Sequence, residues 1–388
     1  MDERPRGYRP SRALTAVSAL ALVLGGLALT ATAIDPPEEG TLVGDHRWKD
    51  EGRPGGDGGH RGPGGHRDGR GGGDAGGDDD TGGHGDHGDG PVTGPDPTLF
   101  VPIEEAPPAP DAPEPDGNAS TGSLTLDCGV NENGVHNSEN VIVAPGVEHG
   151  AQHTHDYVGN QDVQRFTEDV DANNAILAEG DTSCERDDRS MHYWPVLRDL
   201  TAEGGDADRP GGGLDGNIGR IITPSSVTIE FLGNPRGPVA AMPEFLQILT
   251  GNARAFTADG AGAAARWTCT GFEDRAFPDR YPLCPEGSDV VRVLEFPSCW
   301  NGADFQSDDN RSHIVFPEED GACAEGFTAV PRLRHTLVYE VPEGPDFALD
   351  GFPEQGRHPI TDHSDHINVM PPDLMAELVE CVNAGRDC

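Results

Sequence analysis

Positive charge is scarce in this sequence. There are 27 Lys and Arg residues against 68 Asp and Glu residues, which gives a formal net charge of −41. Nucleic acids and anionic lipids are bound through Lys and Arg, so this balance argues against both kinds of partner. We therefore expect no nucleic-acid partner, and a membrane contact only if the N-terminal leader stays uncleaved.

Apolar and aromatic residues are also few. Hydrophobic residues make up 34% and aromatic residues 6% of the chain, which contains 54 Gly and 34 Pro. Much of such a chain cannot bury enough apolar surface to offset the entropy of ordering it. The bias is strongest in residues 34–122, rich in Gly, Asp, His and Pro, which predict a disordered acidic linker. Residues 123–388 then remain for one globular domain.

Three common catalytic or binding motifs are missing. No Gly-x-Ser-x-Gly sequence occurs, which disfavours a serine hydrolase of that type. No Cys-x-x-Cys pair occurs, which argues against a zinc ribbon or a thioredoxin-type centre. Gly211-Gly212-Gly213 lacks a preceding strand pattern, so a nucleotide-binding loop is not indicated.

The one long apolar run lies at the N-terminus. Arg4, Arg6, Arg9 and Arg12 precede the apolar stretch from Ala13 to Ala33, which ends in small residues. This order is typical of a signal peptide over residues 1–33, and an uncleaved signal anchor is the alternative. Both predict export, to a secreted or cell-surface location.

All eight cysteines lie between Cys128 and Cys388. An even number behind an export signal predicts disulfide bonds. Proximity in sequence favours Cys381–Cys388, then Cys299–Cys323 and Cys269–Cys284, which leaves Cys128–Cys184, although eight cysteines allow about 105 pairings.

Short apolar runs separated by Gly, Pro, Asn and Asp favour β-structure. Alternation and β-branching predict strands at Val141–Ala144, Ile218–Ile222, Ser226–Leu232, Val290–Phe296, His313–Phe316 and His335–Val341. Helices are predicted only at Pro243–Leu249 and after Pro371. We predict a mainly β, single disulfide-stabilised antiparallel β-sandwich-like domain with long loops and a short C-terminal helix.

Several ordered blocks resemble one known family. They are Ala144-Pro145-Gly146 with His153-Thr-His155 and Gly159-Asn160, Thr182-Ser183-Cys184 with Tyr193-Trp194-Pro195, Met242-Pro243 to Gly251, Trp267-Thr-Cys269, Cys284-Pro285, Phe296 to Gly302, Ser307 to His313, Pro331-Arg332-Leu333, and His363, Asp365 and Asn368 before Cys381. From about Asn133 to Cys388 the chain resembles DUF1996, a secreted family of actinobacteria and filamentous fungi. Fungal members are often joined to cellulose-binding or WSC-type modules, which implies a carbohydrate or cell-wall setting.

The chain departs from that family pattern at two places. Asn310 stands where similar sequences have a His, and His366 and Met370 stand where they have Phe and Trp. The first change weakens any mechanism that needs an imidazole at position 310. The second adds a histidine close to His363.

Histidines are the main candidates for chemistry. His153 and His155 are two residues apart, so on an extended strand both imidazoles lie on one face. Neutral imidazoles suit zinc, copper or iron, and nearby carboxylates could orient them. We predict a pocket that binds a divalent transition metal through His153, His155, His313 and His363, with Asp365 nearby. The catalytic candidates are His153, His155, Asp156, Asp309 and His313.

Other interpretations of these residues stay open. The histidines could be buried groups that only connect long loops. A metal-free catalyst could use a carboxylate pair among Glu295, Asp304, Asp308 and Asp309, or a base such as His153 or Tyr157 in a β-elimination lyase. A lyase acts on acidic polymers, and the cleft could then be made basic by Arg311, Arg332 and Arg334.

Substrate contacts are predicted from aromatic and cationic side chains. Tyr157, Trp194 and Arg311 are the candidates, since aromatic rings stack on sugars and an arginine binds anionic groups. We expect an exported metal-dependent or acid–base catalyst that acts on extracellular or cell-wall polysaccharide. The alternative is a non-catalytic carbohydrate-binding or structural protein of the cell surface.

Overall fold

The computed structural model describes residues 94–163 and 167–388. Every described residue belongs to one compact unit. The predicted leader, residues 1–33, and most of the predicted linker lie outside the described residues. None of the helices in the described part is both long and apolar enough to cross a membrane.

Short strands dominate the described residues. In chain order they are β1 Phe100–Pro102, β2 Ser123–Leu126, β3 His136–Asn137, β4 His155–Gly159, β5 Met191–Pro195, β6 Leu197–Asp199, β7 Arg220–Ile222, β8 Ser226–Leu232, β9 Gln247–Gly251, β10 Trp267–Cys269, β11 Tyr281–Leu283, β12 Val290–Glu295, β13 Cys299–Trp300, β14 Ile314–Val315, β15 Thr328–Ala329, β16 Arg332–Tyr339, β17 Phe347–Leu349 and β18 His363–Ile367. Two α-helices accompany them, α1 Val170–Glu179 and α2 Pro372–Asn383.

Two five-stranded antiparallel sheets form the centre of the fold. Sheet I has the order β3-β4-β5-β18-β9, and sheet II has the order β10-β12-β16-β8-β2. The long strand β16 alternates between partly exposed and buried residues, as a sheet with one covered face should. In contrast, every residue of β4, β5, β9 and β18 is buried, so both faces of sheet I are covered.

The two sheets share one apolar core. Trp194 and Ile248 of sheet I belong to the same buried cluster as Phe231, Leu294 and Leu333 of sheet II. The prediction of a mainly β, antiparallel, sandwich-like domain with a C-terminal helix is confirmed.

A buried ion pair connects sheet II to the start of β18. Arg292 on β12 and Asp362 are both fully buried, with Nε–Oδ2 and Nη2–Oδ1 distances of 3.0 and 2.5 Å. The Nη1 of Arg292 also donates to the carbonyl of Pro195 on β5 at 2.9 Å. Since an ion pair without water must be fully hydrogen-bonded to be tolerated, this arginine fixes where both strands lie.

All four predicted disulfides are present. They join Cys128 to Cys184, Cys269 to Cys284, Cys299 to Cys323, and Cys381 to Cys388. No cysteine of the described residues is left free, a pattern typical of proteins that fold in an oxidising compartment.

Two predicted elements are wrong. Residues 141–144 form a turn, because Asn140 accepts hydrogen bonds from Val143 through its side chain and from Ala144 through its carbonyl. The predicted helix Pro243–Leu249 is broken by Phe245, whose φ of 65° is not helical. Its second half belongs instead to strand β9 of sheet I, which pairs with β18.

Regular structure in the described residues begins before residue 123, the expected start of the globular domain. Strand β1 pairs in parallel with β11, starting at Phe100 opposite Tyr281. Leu99, Phe100 and Ile103 are buried in the main core. These few apolar residues are enough to anchor this Pro-rich segment to the core. The overall composition of residues 34–122 gave no sign of them.

Candidate metal centre and adjoining cavity

Three imidazoles converge at one edge of sheet I. Nε2 of His153 lies 3.0 Å from Nε2 of His155 and 3.2 Å from Nε2 of His363. All three side chains are buried, and one ligand atom from each lies within 4.8 Å of the others. Such a convergent set of nitrogens can hold one metal ion.

The pairing of the strands brings these residues together. His155 opens β4 and His363 opens β18, and β5 lies between them, paired with both. Side chains two residues apart on a strand share a face, so Tyr157 follows His155 and Asp365 follows His363. Tyr193 on β5 lies opposite both Tyr157 and Asp365, which makes one continuous polar row.

Two of the three histidines have a fixed tautomer. Nδ1 of His155 lies 3.1 Å from the carbonyl of Glu139, and Nδ1 of His363 lies 2.9 Å from the carbonyl of Thr361. A carbonyl oxygen only accepts hydrogen bonds, so both Nδ1 atoms carry the proton. The Nε2 atoms of both rings are then unprotonated, and their lone pairs point at His153.

Burial keeps these imidazoles neutral. The pKa of His153 is lowered well below its usual value, first by burial and then by the neighbouring His155 and His363. Burial lowers the pKa of His363 to about 4, and the pKa of His155 also falls well below its usual range. Neutral imidazole is the form that binds a metal, so no proton has to leave near neutral pH.

A buried carboxyl group lies on the same face. Burial raises the pKa of Asp365 to about 8, against the opposing effect of the Arg311 guanidinium. Beside it, the rings of Tyr157 and Tyr193 stack with centroids 5.1 Å apart. The Tyr157 hydroxyl donates to Oδ1 of Asn137 at 2.8 Å, which fixes the outer end of the row.

The segment between His153 and His155 is held by a second buried ion pair. The backbone N–H of Thr154 donates to Oδ2 of Asp350 at 3.2 Å. Arg198 binds the same carboxylate through Nε at 2.6 Å and Nη2 at 2.9 Å. Because a carboxylate oriented by an arginine cannot turn away, this pair sets the position of the two histidines around Thr154.

One glycine permits the close contact of β9 with His363. Gly251 has a φ of 76°, and a Cβ built there would lie 2.3 Å from the carbonyl oxygen of Asp362 and 2.8 Å from the Cα of His363. Only glycine fits such a position without moving the backbone.

A cavity adjoins the histidines. It has a volume of about 230 Å³ and is lined by Asn140, Val143, His155, Leu249, Thr250, Gly251, Asn252, Ala253, Arg254, Asp309, Asn310, Arg311, Phe352, His363 and Asp365. The guanidinium of Arg254 lies 3.9 Å from the centroid of the Phe352 ring, and that ring meets His153 edge-on at 5.3 Å. The cavity therefore borders the histidines, a carboxyl group and two arginines.

The structure brings together three of the four predicted metal ligands. His313 does not belong to the group, because both of its ring nitrogens are engaged elsewhere. Nε2 lies 2.7 Å from the carbonyl of Gln247, and Nδ1 lies 2.9 Å from the hydroxyl of Ser307. The hypothesis of a four-histidine pocket is therefore reduced to three, and His313 holds the loop that carries Arg311.

The two carboxylates predicted to be catalytic have structural partners. Asp156 lies on the face of β4 opposite to His155, where its Oδ1 is 2.7 Å from Nε2 of His136. Asp309 borders the cavity, but its Oδ1 accepts hydrogen bonds from Ser307, Arg311 and Ser312. These bonds hold the pKa of Asp309 well below its usual value, so this carboxylate shapes its own loop.

The three residues predicted to contact substrate lie in different surroundings. Arg311 lines the cavity and donates to the carbonyl of Gly251 at 2.7 Å. Trp194 is fully buried in the core, and Tyr157 is fully buried within sheet I, so neither presents a surface to a ligand. For these two residues the predicted role does not fit, since the core of this aromatic-poor chain needs their rings.

Sequence reasoning missed two residues of the cavity. Arg254 and Phe352 lie in loops without any motif, and nothing in the sequence relates them to His153. Arg332 and Arg334, which had been considered for a basic cleft, instead form ion pairs with Glu295 and Glu230.

Another histidine group occupies the opposite face of sheet I. Nδ1 of His192 is 2.9 Å from Nε2 of His335, and the rings of His192 and His366 lie 4.5 Å apart. His192 also lies close to Cys128 and Cys184, but these two cysteines form a disulfide and have no thiolate to offer a metal. This group lies within the core between the sheets.

No curated protein and no solved structure matches the chain. A family model does match, over residues 140–367, which contain all three convergent histidines, Asp365 and Arg311. With well over half of its length matched, the chain belongs to the DUF1996 family, a domain of unknown function.

Proposed function

We propose that this protein is an exported, metal-dependent catalyst that binds a divalent transition metal through Nε2 of His153, His155 and His363 and acts on extracellular or cell-wall polysaccharide. The observation that carries the proposal is the convergence of three buried Nε2 atoms at distances of 3.0 and 3.2 Å. Four disulfides in the described residues support an oxidising, extracellular setting.

The tautomers of the three histidines cannot provide every ring nitrogen of the site with a hydrogen-bond partner. His155 and His363 each direct an unprotonated Nε2 at His153. The single Nε2 proton that His153 can carry satisfies only one of these two acceptors. At least one of these buried acceptor nitrogens therefore lacks a hydrogen-bond donor within the group. A cation among the three nitrogens would satisfy it.

The spacing of the nitrogens suits such an ion. Zn–N bonds of roughly 2.0–2.1 Å in a tetrahedral site put ligand nitrogens about 3.3 Å apart. The two Nε2–Nε2 distances, 3.0 and 3.2 Å, are close to this value. Three protein ligands leave a fourth position, as in catalytic rather than structural zinc sites. A metal bound there would activate a water molecule or polarise a substrate oxygen.

The residues around the site supply the remaining functions. Asp365 follows His363 on the same face of β18 and borders the cavity, where its carboxyl group can exchange a proton with a bound substrate. The carbonyls of Glu139 and Thr361 orient two of the imidazoles, as the outer partners of metal ligands do. Phe352 covers His153 and keeps water from that side.

A carbohydrate substrate is supported by a second cavity next to the first. This cavity has a volume of about 790 Å³, and Phe352 borders both. At its wall the half-exposed ring of Phe256 stacks on His358, with centroids 4.7 Å apart. A flat, exposed aromatic pair of this kind is a common surface for a sugar ring. The same pair would serve the alternative function, a carbohydrate-binding protein without catalysis.

Metal analysis of the purified protein tests the proposal. After dialysis against chelator and reloading with zinc, copper, iron, cobalt, nickel or manganese in turn, we expect one bound ion per chain. His155→Ala and His363→Ala should lose the ion. His149→Ala is the matched control, because this nearby histidine is largely exposed and pairs with Glu139 and Glu148.

The outcome separates metal binding from a purely structural role. Folding of each variant is checked by circular dichroism and thermal unfolding. Wild-type protein that stays folded yet takes up none of the six metals would refute the metal centre. Polysaccharide turnover then distinguishes a catalyst from a binding protein. A catalyst should show turnover when loaded with metal and lose it in His155→Ala and His363→Ala.

A further inference from the structure

We propose that the cavity beside the three histidines recognises an anionic group of the substrate, the carboxylate of a uronic acid residue, through Arg311 and Arg254. The inference rests on the proposed function, because it assigns the class of polysaccharide that this site would take.

Arg311 lines the cavity without a carboxylate partner among the described residues. Its Nη2 is held by the carbonyl of Gly251, which points the guanidinium along the cavity wall. Among the described residues no carboxylate forms an ion pair with it, whereas Arg332 and Arg334 are both paired with glutamates. A guanidinium without a carboxylate partner is unexpected in a chain with a net charge of −41.

Arg254 adds a second positive charge to the same cavity. Its guanidinium lies over the ring of Phe352, with Cζ 3.9 Å from the ring centroid. Nη1 binds the exposed Glu354 at 2.6 Å, which leaves the other nitrogens of the fork for a ligand.

Neither carboxyl group that lines the cavity forms an ion pair with Arg254 or Arg311. Asp309 is the one lining carboxylate whose pKa is lowered, and hydrogen bonds from its own loop occupy its Oδ1. Asp365 is the other lining carboxyl group. An anionic group entering the cavity therefore meets two guanidinium groups, and a metal ion when one is bound.

Carboxylate is the anion that fits both the arginines and the neighbouring surface. A planar carboxylate matches the fork of a guanidinium. The larger cavity on the other side of Phe352, with its stacked Phe256 and His358, gives room for further sugar units of the same chain. An oligosaccharide that carries carboxylates uses both features, whereas a small free anion uses only one.

Binding of defined oligosaccharides tests the assignment. The probes are tetrasaccharides of galacturonic, glucuronic and mannuronic acid, their neutral methyl esters, and a sulfated tetrasaccharide. Titration calorimetry is run at low and high salt, with and without chelator. We expect at least one acid to bind about tenfold or more tightly than its methyl ester, with an affinity that falls as salt rises.

The variants identify the residues responsible. Arg311→Met keeps the apolar stem and should weaken binding of the acid about tenfold. Arg311→Lys should recover part of the loss, and Arg254→Met should also weaken binding. Arg334→Met is the matched control, because this arginine pairs with Glu230 on sheet II and should leave binding unchanged.

Each result has a definite meaning. Equal affinity for the acids and their methyl esters, or no binding of any probe, would overturn the inference. A preference for the sulfated probe would overturn the assignment to carboxylate. Binding that depends on Arg311 in a protein that holds no metal would support the anionic subsite and refute the metal centre alone.

Discussion

Thr154 donates its backbone N–H to Oδ2 of Asp350 at 3.2 Å, although the two residues are 196 positions apart in the chain. Thr154 is the residue between two of the converging histidines. Arg198 donates to both the Asp350 carboxylate and, at 3.3 Å, the Thr154 hydroxyl. A buried charged pair thus positions two of the candidate metal ligands without being one of them.

Asp350→Asn should impair both stability and metal binding. The change leaves the fully buried guanidinium of Arg198 partly uncompensated, which should lower the free energy of unfolding by about 3–5 kcal/mol. Loss of orientation should also weaken metal affinity about 10–100-fold. Urea unfolding and competition with a metal chelator measure the two effects. Asp206→Asn is the control, since Asp206 binds the same arginine from a more exposed place and should cost about 1 kcal/mol or less. Equal losses in both variants would contradict this assignment.

Gly251→Ala should displace His363. A methyl group would lie 2.3 Å from the carbonyl oxygen of Asp362, so the backbone of β9 or β18 has to move. We expect a loss of stability of about 2–4 kcal/mol together with loss of the bound metal. Gly271→Ala serves as the control, because it has the same sign of φ but no atom within 4 Å of the added Cβ. That variant should cost only about 1 kcal/mol and keep the metal.

His313→Ala should leave the metal content unchanged. The ring connects the loop around Ser307 to Gln247, so its removal leaves a buried carbonyl without a donor. We expect a loss of about 1–3 kcal/mol in the free energy of unfolding. Binding of acidic oligosaccharide should weaken as well, because the loop carries Arg311. Metal loss in this variant, with the protein still folded, would restore the four-histidine hypothesis.

The histidines between the sheets predict a stability that falls in acid. Burial lowers the pKa of His366 to about 3, and also lowers the pKa of His192 and His335 well below the usual value. The groups that face them are one another, Ser364, and the rings of Trp194, Phe231 and Phe296. Among the described residues no carboxylate contributes to these three shifts.

The sign of the effect follows from proton uptake. An unfolded histidine has a pKa of about 6.5, so between about pH 6.5 and 3 the unfolded chain binds more protons than the fold. The stabilising contribution is complete above pH 6.5 and is lost as the pH falls, by up to about 1.4 kcal/mol per pH unit for each group.

His366→Phe should flatten this dependence. Neither ring nitrogen of His366 makes a well-formed hydrogen bond, so an apolar ring of similar size should raise the stability at pH 7.5 by about 1 kcal/mol. Between pH 6.5 and 4.5 the stability should fall less steeply than in the wild type. Urea unfolding at several pH values measures the slope. His149→Ala should keep the wild-type slope, and an unchanged slope in His366→Phe would disprove the assignment.

The sequence was informative where one face of a strand is covered. Ser226–Leu232 was predicted with the bounds it has, and the strand predicted at His335–Val341 is found at Arg332–Tyr339, because alternation reports a half-buried strand. Sheet I was largely missed, since β4, β5 and β18 are buried on both faces and carry polar side chains. Neither alternation nor an apolar run marks such strands.

The candidate site was predictable in part for a similar reason. His153, His155, His363 and Arg311 were found because imidazole and guanidinium groups are recognisable from the sequence as candidate ligands. Which of these residues lie together was not predictable, because strand order decides it. That order depends on pairings between distant parts of the chain, such as Asp365 with Tyr193. His313 lies in an equally suggestive motif, but its two ring nitrogens contact the carbonyl of Gln247 and the hydroxyl of Ser307.

The side chains of β18 alternate between the candidate site and the core of the protein. His363 and Asp365 point to the cavity side, whereas Ser364 and His366 point to the core. There the hydroxyl of Ser364 lies 2.9 Å from Nδ1 of His335. A slip of the strand by a single position would exchange the two pairs. The misregistered form would bury an acid against Phe231 and Phe296 and leave the cavity without its third imidazole. The three-histidine site therefore forms only when β18 pairs in the correct register. Metal binding by a molecule would, for that reason, also report that its two sheets have assembled correctly.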